Sequence, residues 1–196
     1  MSLKKILSTD ISTGVQAAQI NDVFSADFTL YKIIGVGIVG QTSRDTGTNL
    51  RLVKTSDSSI ETGSVYGHGL YGLKAEASFT DTNIAPGASF SDRWFNTFAG
   101  SDDNGRPGNG VVYVSNPFQA SSTKIFWEST EVASDNHRSR WGIGCIQNTT
   151  SYDGIVVDLN ESEARIGGGK LVVYGVLWVV LLNCLKLQLA IVVLFH

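Results

Sequence analysis

The chain has 196 residues, a length suited to one domain with appended arms. Its net charge is -3, and its Lys and Arg residues are scattered, so it lacks the basic stripe by which a protein tracks nucleic acid. Charged residues make up only 17%, low for a fully solvated surface; surface buried against neighbouring subunits, or an apolar tail, would account for it.

The N-terminal MSLKKILSTD carries two lysines, but no apolar run after Leu7 is long enough for a secretion signal, so synthesis in a cytoplasm is expected. The best helical candidate is Thr13–Phe24 (TGVQAAQINDVF), where Val15, Ile20 and Val23 do not form a clean stripe. Residues 1–26 therefore read as an N-terminal arm with room for one short helix.

From residue 27 onward, short apolar runs alternate with clusters of Gly, Ser, Asn and Asp. Phe28–Val39 (FTLYKIIGVGIV) is rich in β-branched and aromatic residues, and in Leu50–Val53 (LRLV) the two leucines face one way. Val65–Leu73, Ala75–Phe79, Phe90–Phe98, Val111–Val114, Lys124–Trp127, Arg140–Ile146, Gly154–Leu159 and Lys170–Val176 continue the series. Between them lie turn segments such as SRDTGTN, APGAS, GSDDNGRPGNG and QNTTSYDG. Many short strands with polar, Gly-containing turns predict an all-β antiparallel sandwich or barrel, here placed at 27–176. Large rings recur about once per strand (Tyr31, Tyr66, Phe79, Trp94, Tyr113, Trp127, Trp141, Tyr174), as a sandwich core or a subunit contact requires.

Catalytic patterns are missing from the sequence. His68, His137 and His196 accompany no G-x-S-x-G elbow and no H-E-x-x-H pair. The carboxylates Glu128, Glu131, Asp153, Asp158, Glu161 and Glu163 read as solvated strand faces and loops, and no enzyme activity is expected. Asp102, Asp103 and Asn104 offer hard oxygen donors before a glycine, which makes them weak calcium candidates. The bidentate acid of a helix-loop-helix calcium site would fall at Tyr113, so a long turn is the simpler account. Cys145 and Cys184 form neither a disulfide framework nor a metal spacing, and no cofactor is expected.

The order of these pieces resembles a group of jelly-roll domains in virion proteins of tailed bacteriophages: tail fibres, receptor-binding tips and head-decoration proteins. The resemblance runs from about Asp22 to Val176. Its pieces are VFSADFTLYKIIGVG, the LRLV strand, the Asn-Pro turn of VSNPFQASSTKIFW, and the ending Asp153–Gly154–Ile155 followed by Ile166–Val176 (IGGGKLVVYGV). This ending, the most specific piece, reads as a hairpin, with Ile155 and Val157 on one side and Val172 and Tyr174 facing alike. The resemblance implies a jelly-roll sandwich and a non-enzymatic virion structural protein, made in the host cytoplasm. It would be a capsid decoration protein or a short head or tail appendage. Its partners would be other virion subunits and copies of itself, with a trimer favoured. The chief alternative is a receptor-binding adhesin for host surface glycans, with contacts around Asp102–Asn109 or Ser134–Arg138; a small jelly-roll capsid subunit is the third reading.

Such domains end at the Y-G-x strand, whereas this chain continues as LWVVLLNCLKLQLAIVVLFH, residues 177–196. Twenty apolar residues are long enough to span a bilayer as a helix, but Asn183, Lys186 and Gln188 lie near the middle, and a central Lys costs about 2.5–3.5 kcal/mol on insertion. A strand with alternating leucines, or a helix packing against copies of itself, are the other forms. Burial in an assembly is the expected fate of this tail ahead of membrane insertion. Trp178, Leu181, Leu185, Leu189, Val193 and Phe195 are the candidate contacts.

Overall fold

A computed structural model of the chain describes residues 2–40, 47–75, 80–85, 90–98, 107–133, 136–159 and 165–177. Period-two burial organises them: β7 (Gly108–Ser115) and β3 (Leu30–Gly40) alternate buried and partly exposed positions along their length. The other strands are β1 (Ser2–Asp10), β2 (Ala17–Ile20), β4 (Thr48–Lys54), β5 (Tyr66–Ala75), β6 (Thr80–Ala85), β8 (Lys124–Ala133), β9 (Asn136–Ile146), β10 (Tyr152–Leu159) and β11 (Ile166–Leu177). All pairings between them are antiparallel, and no helix occurs among the described residues.

Two sheets form a sandwich-like arrangement. The large sheet has the order β1-β11-β3-β7-β8-β9-β5-β6, and the small one β2-β10-β4. The pairing is nested: β1 takes β11, β2 takes β10, and β3 takes β7. Inside that nest Trp94 exchanges both backbone hydrogen bonds with Leu50 of β4, at 3.0 Å each. Successive pairs alternate between the large and small sheets.

Three sequence expectations are corrected. The short helix within Thr13–Phe24 is instead β2, because Ala17–Ile20 finds strand partners in β10. Phe90–Phe98 is not a continuous strand. Ser91 bonds Tyr66 of the large sheet while Trp94 bonds Leu50 of the small one, so the segment crosses between layers. The ending does not form a hairpin either: β10 lies in the small sheet and β11 in the large. Residues 155–159 of β10 are all buried, which suits a central strand of the small sheet covered on both faces. Of the expected strand Ala75–Phe79, residues 76–79 lie outside the described residues, and β6 begins at Thr80. Residues 2–26, read as an arm, supply β1 and β2 to the two sheets.

Three strands cannot cover eight, and large rings fill the difference. Inward positions of the large sheet are glycine where a ring or a crossing backbone lies directly upon it. A Cβ on Gly35 would come within 2.6 Å of the Phe98 ring, and one on Gly144 within 2.7 Å of the Trp94 indole nitrogen. One on Gly142 would fall inside the Trp127 indole, and one on Gly110 would meet the Thr97 carbonyl at 2.7 Å. Trp94, Phe98 and Trp127 are fully buried as a result. Two buried tyrosines fasten loops to this core with both hydroxyl functions used. Tyr31 accepts from the Ser25 amide and donates to the Ser25 carbonyl, at 2.6 and 2.7 Å. Tyr66 accepts from the Leu52 amide and donates to the Glu61 carbonyl, at 3.0 and 3.1 Å.

The GGG run that opens β11 has a separate cause. Gly168 and Gly169 lie at φ 141° and 137°, values side chains rarely adopt, and the ladder to β3 slips twice there.

Gly142→Ala is expected to lower stability by roughly 1–3 kcal/mol, the usual cost of overpacking. Gly69→Ala, on the opposite face with open space around it, should stay within about 0.5 kcal/mol of wild type. Urea unfolding of the two variants compares them, and equal losses would contradict the ring-on-glycine packing.

Candidate functional site

The outer face of the large sheet is set by strand register. One row runs Tyr174, Lys32, Tyr113, Phe126, Ile143 and Gly69 across β11, β3, β7, β8, β9 and β5. The next runs Val172, Ile34, Val111, Glu128, Trp141 and Tyr71 across the same strands. Side chains facing water on an antiparallel sheet are ordinarily polar. Here every position of the two rows except Lys32, Gly69 and Glu128 carries an aliphatic or aromatic group.

Exposure follows the pattern. Ile143 is 66% exposed and Phe126 44%, and Gly69 beside Ile143 adds no cover. Tyr113 and Phe126 have ring centroids 6.4 Å apart at 34°, and Tyr71 and Trp141 6.0 Å apart at 31°. Lys32 holds its ammonium 5.7 Å from the centre of the Tyr113 ring, a contact that also carries its alkyl stem along apolar surface. A shallow groove continues the face, with Ile34, Val36 and Val111 along it and Asn109, Glu128 and Thr130 at its rim.

The polar clusters elsewhere read as structural. Asp158, nearly buried, takes an ion pair from Arg51 and a longer one from Arg93 at 3.5 Å, and Asn49 donates to it at 3.2 Å. Asp92 pairs with Arg93 at 2.6 Å, and that hydrogen bond holds its carboxyl below the usual range. Two guanidinium groups face two carboxylates, so the cluster is neutral. A second cluster gathers on Glu61, which accepts from the Gly63 amide at 3.0 Å and from Asn148 and Tyr152 at 3.3 Å each. Burial pushes the Tyr152 phenol up to about 12.

Among the described residues, those singled out from sequence do not converge. His68 points inward from β5 against Phe95 and Trp127, with ring centroids 5.3 and 6.5 Å away. His137 lies in β9 and not in a polar loop, paired with Ala75 and Val132, and its side chain is outside the description. Glu128 is on the outer face and Asp158 in the buried cluster, with Asp153 at the β10 start. Glu131 has no described side chain. Cys145 is on the outer side of β9, level with Gly67. Glu161, Glu163, Cys184 and His196 lie outside the described residues, as do Asp102, Asp103 and Asn104. So do the expected assembly contacts Trp178, Leu181, Leu185, Leu189, Val193 and Phe195. Of the loops named for glycan contact, 107–109 and 136–138 are described, and Asn109 and Asn136–Arg138 belong to strands. Among the described residues, no three His, Cys, Asp or Glu side chains gather where they could hold a metal ion. No helix of the described residues is long and apolar enough to cross a membrane.

Sequence reasoning named Tyr113, Trp141 and Tyr174 as rings for a core or a subunit contact. It did not see that these three share one outer face, which only the register establishes. The legible signal was an apolar residue at every position of Val111–Val114, too many for a strand with one wet face. No family model, curated protein or solved structure matches the chain.

Burial holds the His68 imidazole below its ordinary value near 6.5. The unfolded chain then binds the proton more readily, so stability is full above pH 6.5 and falls as the pH drops towards the folded value. His68→Gln should remove this part of the loss between pH 7.5 and 5.5, seen as a smaller shift of the urea midpoint. An unchanged shift would show that other groups carry it.

Proposed function

We propose that this chain is a non-enzymatic virion structural protein of a tailed bacteriophage, a jelly roll that acts by packing against other subunits. Capsid decoration, or a short head or tail appendage, is the role that fits it best. The observation that carries the reading is the apolar outer face of the large sheet, a surface made for contact and without grouped chemistry. Two features support the jelly-roll form. The chain folds as a nest of pairs, outermost β1 with β11 and innermost β4 with the Trp94 segment, and successive pairs fall in alternate sheets. The β5–β6 and β8–β9 hairpins then widen one sheet of that nest.

Within this reading the protein is made in the host cytoplasm and resides in the virion. Trp178, Leu181, Leu185, Leu189, Val193 and Phe195 supply the contact to the rest of the particle. A second reading, a receptor-binding adhesin, draws on one specific observation. The ring pairs Tyr113–Phe126 and Tyr71–Trp141 stand on a broad sheet face, where sugar rings can stack on them.

Particles purified from cells that lack the gene decide between the two. The structural role predicts particles that adsorb normally but break at lower temperature or salt stress, and a chain truncated after Leu177 that fails to restore them. Stable particles that no longer adsorb would favour the adhesin. Failure to find the chain in purified particles by mass spectrometry would overturn both.

A further inference from the structure

We infer that the outer face of the large sheet packs against the same face of a second copy, related by a two-fold axis lying in the plane of the contact. This rests on the structural-subunit reading and names the partner of that site. Three observations lead to it.

The first is composition. Tyr174, Tyr113, Phe126, Ile143, Trp141 and Tyr71 make an aromatic and aliphatic centre with few charges, the make-up of a buried interface core. The second is size. The six strands that carry the rows, at about 4.8 Å spacing and about seven residues at 3.3 Å, give an outer face on the order of 650 Å². A stable pairwise contact takes roughly 600–1,000 Å² from each partner.

The third is charge. Across these six strands the two rows carry one cation, Lys32, and one anion, Glu128; Lys5 continues the first row on the edge strand β1, away from the centre of the contact. They lie on opposite sides of β7 and in different rows, diagonal about Val112. A two-fold axis that crosses β7 there, perpendicular to the line joining them, lays Lys32 of each copy over Glu128 of the other. In an isologous contact the pair forms twice. The two charges within the apolar rows thus become each other's partners, and burial leaves neither alone. A sugar would leave Ile143, the most exposed large apolar residue described, without matching apolar surface.

Sedimentation velocity of the full chain over a concentration series tests this with variants at exposed or half-exposed positions, where folding is little affected. The wild type should form a pair. Lys32→Glu sets two carboxylates together across the contact, and Glu128→Lys sets two ammonium groups together; each alone should weaken pairing about tenfold or more. Mixing the two single variants restores complementarity at both contacts, so a mixed pair should form where neither variant pairs alone. The fold of each is checked by its urea midpoint. If the wild type is a monomer or a trimer throughout, or if the mixture associates no better than its components, the inference is overturned. The structural role itself stands or falls separately, on the presence of the chain in the particle. Glycan binding by the wild type that Ile143→Glu abolishes, together with an unpaired wild type, would also overturn the pairing.

Discussion

Rings lying directly on the glycines of the large sheet close this sandwich. Eight strands present more inner surface than three strands can cover. The difference is made up by Trp94, Phe98, Phe28 and Trp127, each seated over a position without a Cβ. A Gly175 Cβ would come within 2.5 Å of the Phe28 ring, so even the β11 end of the sheet follows the same rule. Close packing of this kind gives little room for adjustment, because interiors at native density respond to a single added carbon. It also explains why the crossing segment 90–98 is irregular. Its backbone serves both sheets, and its rings are what the core needs from it.

With the inner face closed in this way, the outer face is free to differ from an ordinary wet surface. The residues opposite the glycines and rings are themselves apolar or aromatic in two adjacent rows. The polar clusters on Asp158 and Glu61 sit at other places, bonded to their own neighbours, and tie β4 and β10 to the loops around them. The proposed virion role and the two-fold pairing both draw on that one face.

Much of the strand content was legible in the chain because period-two patterning and Gly-rich turns are local signals. β3, β4, β7, β9 and β11 fall within a few residues of the runs that announced them. Topology was not local. Asp153–Ile155 and Ile166–Val176 look like a hairpin when read along the chain, but nested pairing sends β10 and β11 to opposite sheets. Ala17–Ile20 carries too little pattern to be a strand by itself and becomes one through β10. The outer face was hidden for the same reason: Tyr71, Trp141, Phe126 and Tyr113 are far apart in sequence, and adjacency comes only from register.

The central claim is that this outer face is covered when the protein works. Hydroxyl-radical footprinting of the isolated subunit at low concentration and of the intact particle tests it most directly. Labelling of Tyr113, Phe126, Trp141 and Ile143 should fall several-fold in the particle, while partly buried Ile20 of the small sheet stays as reactive as before. Equal labelling of those four residues in both states would contradict the account.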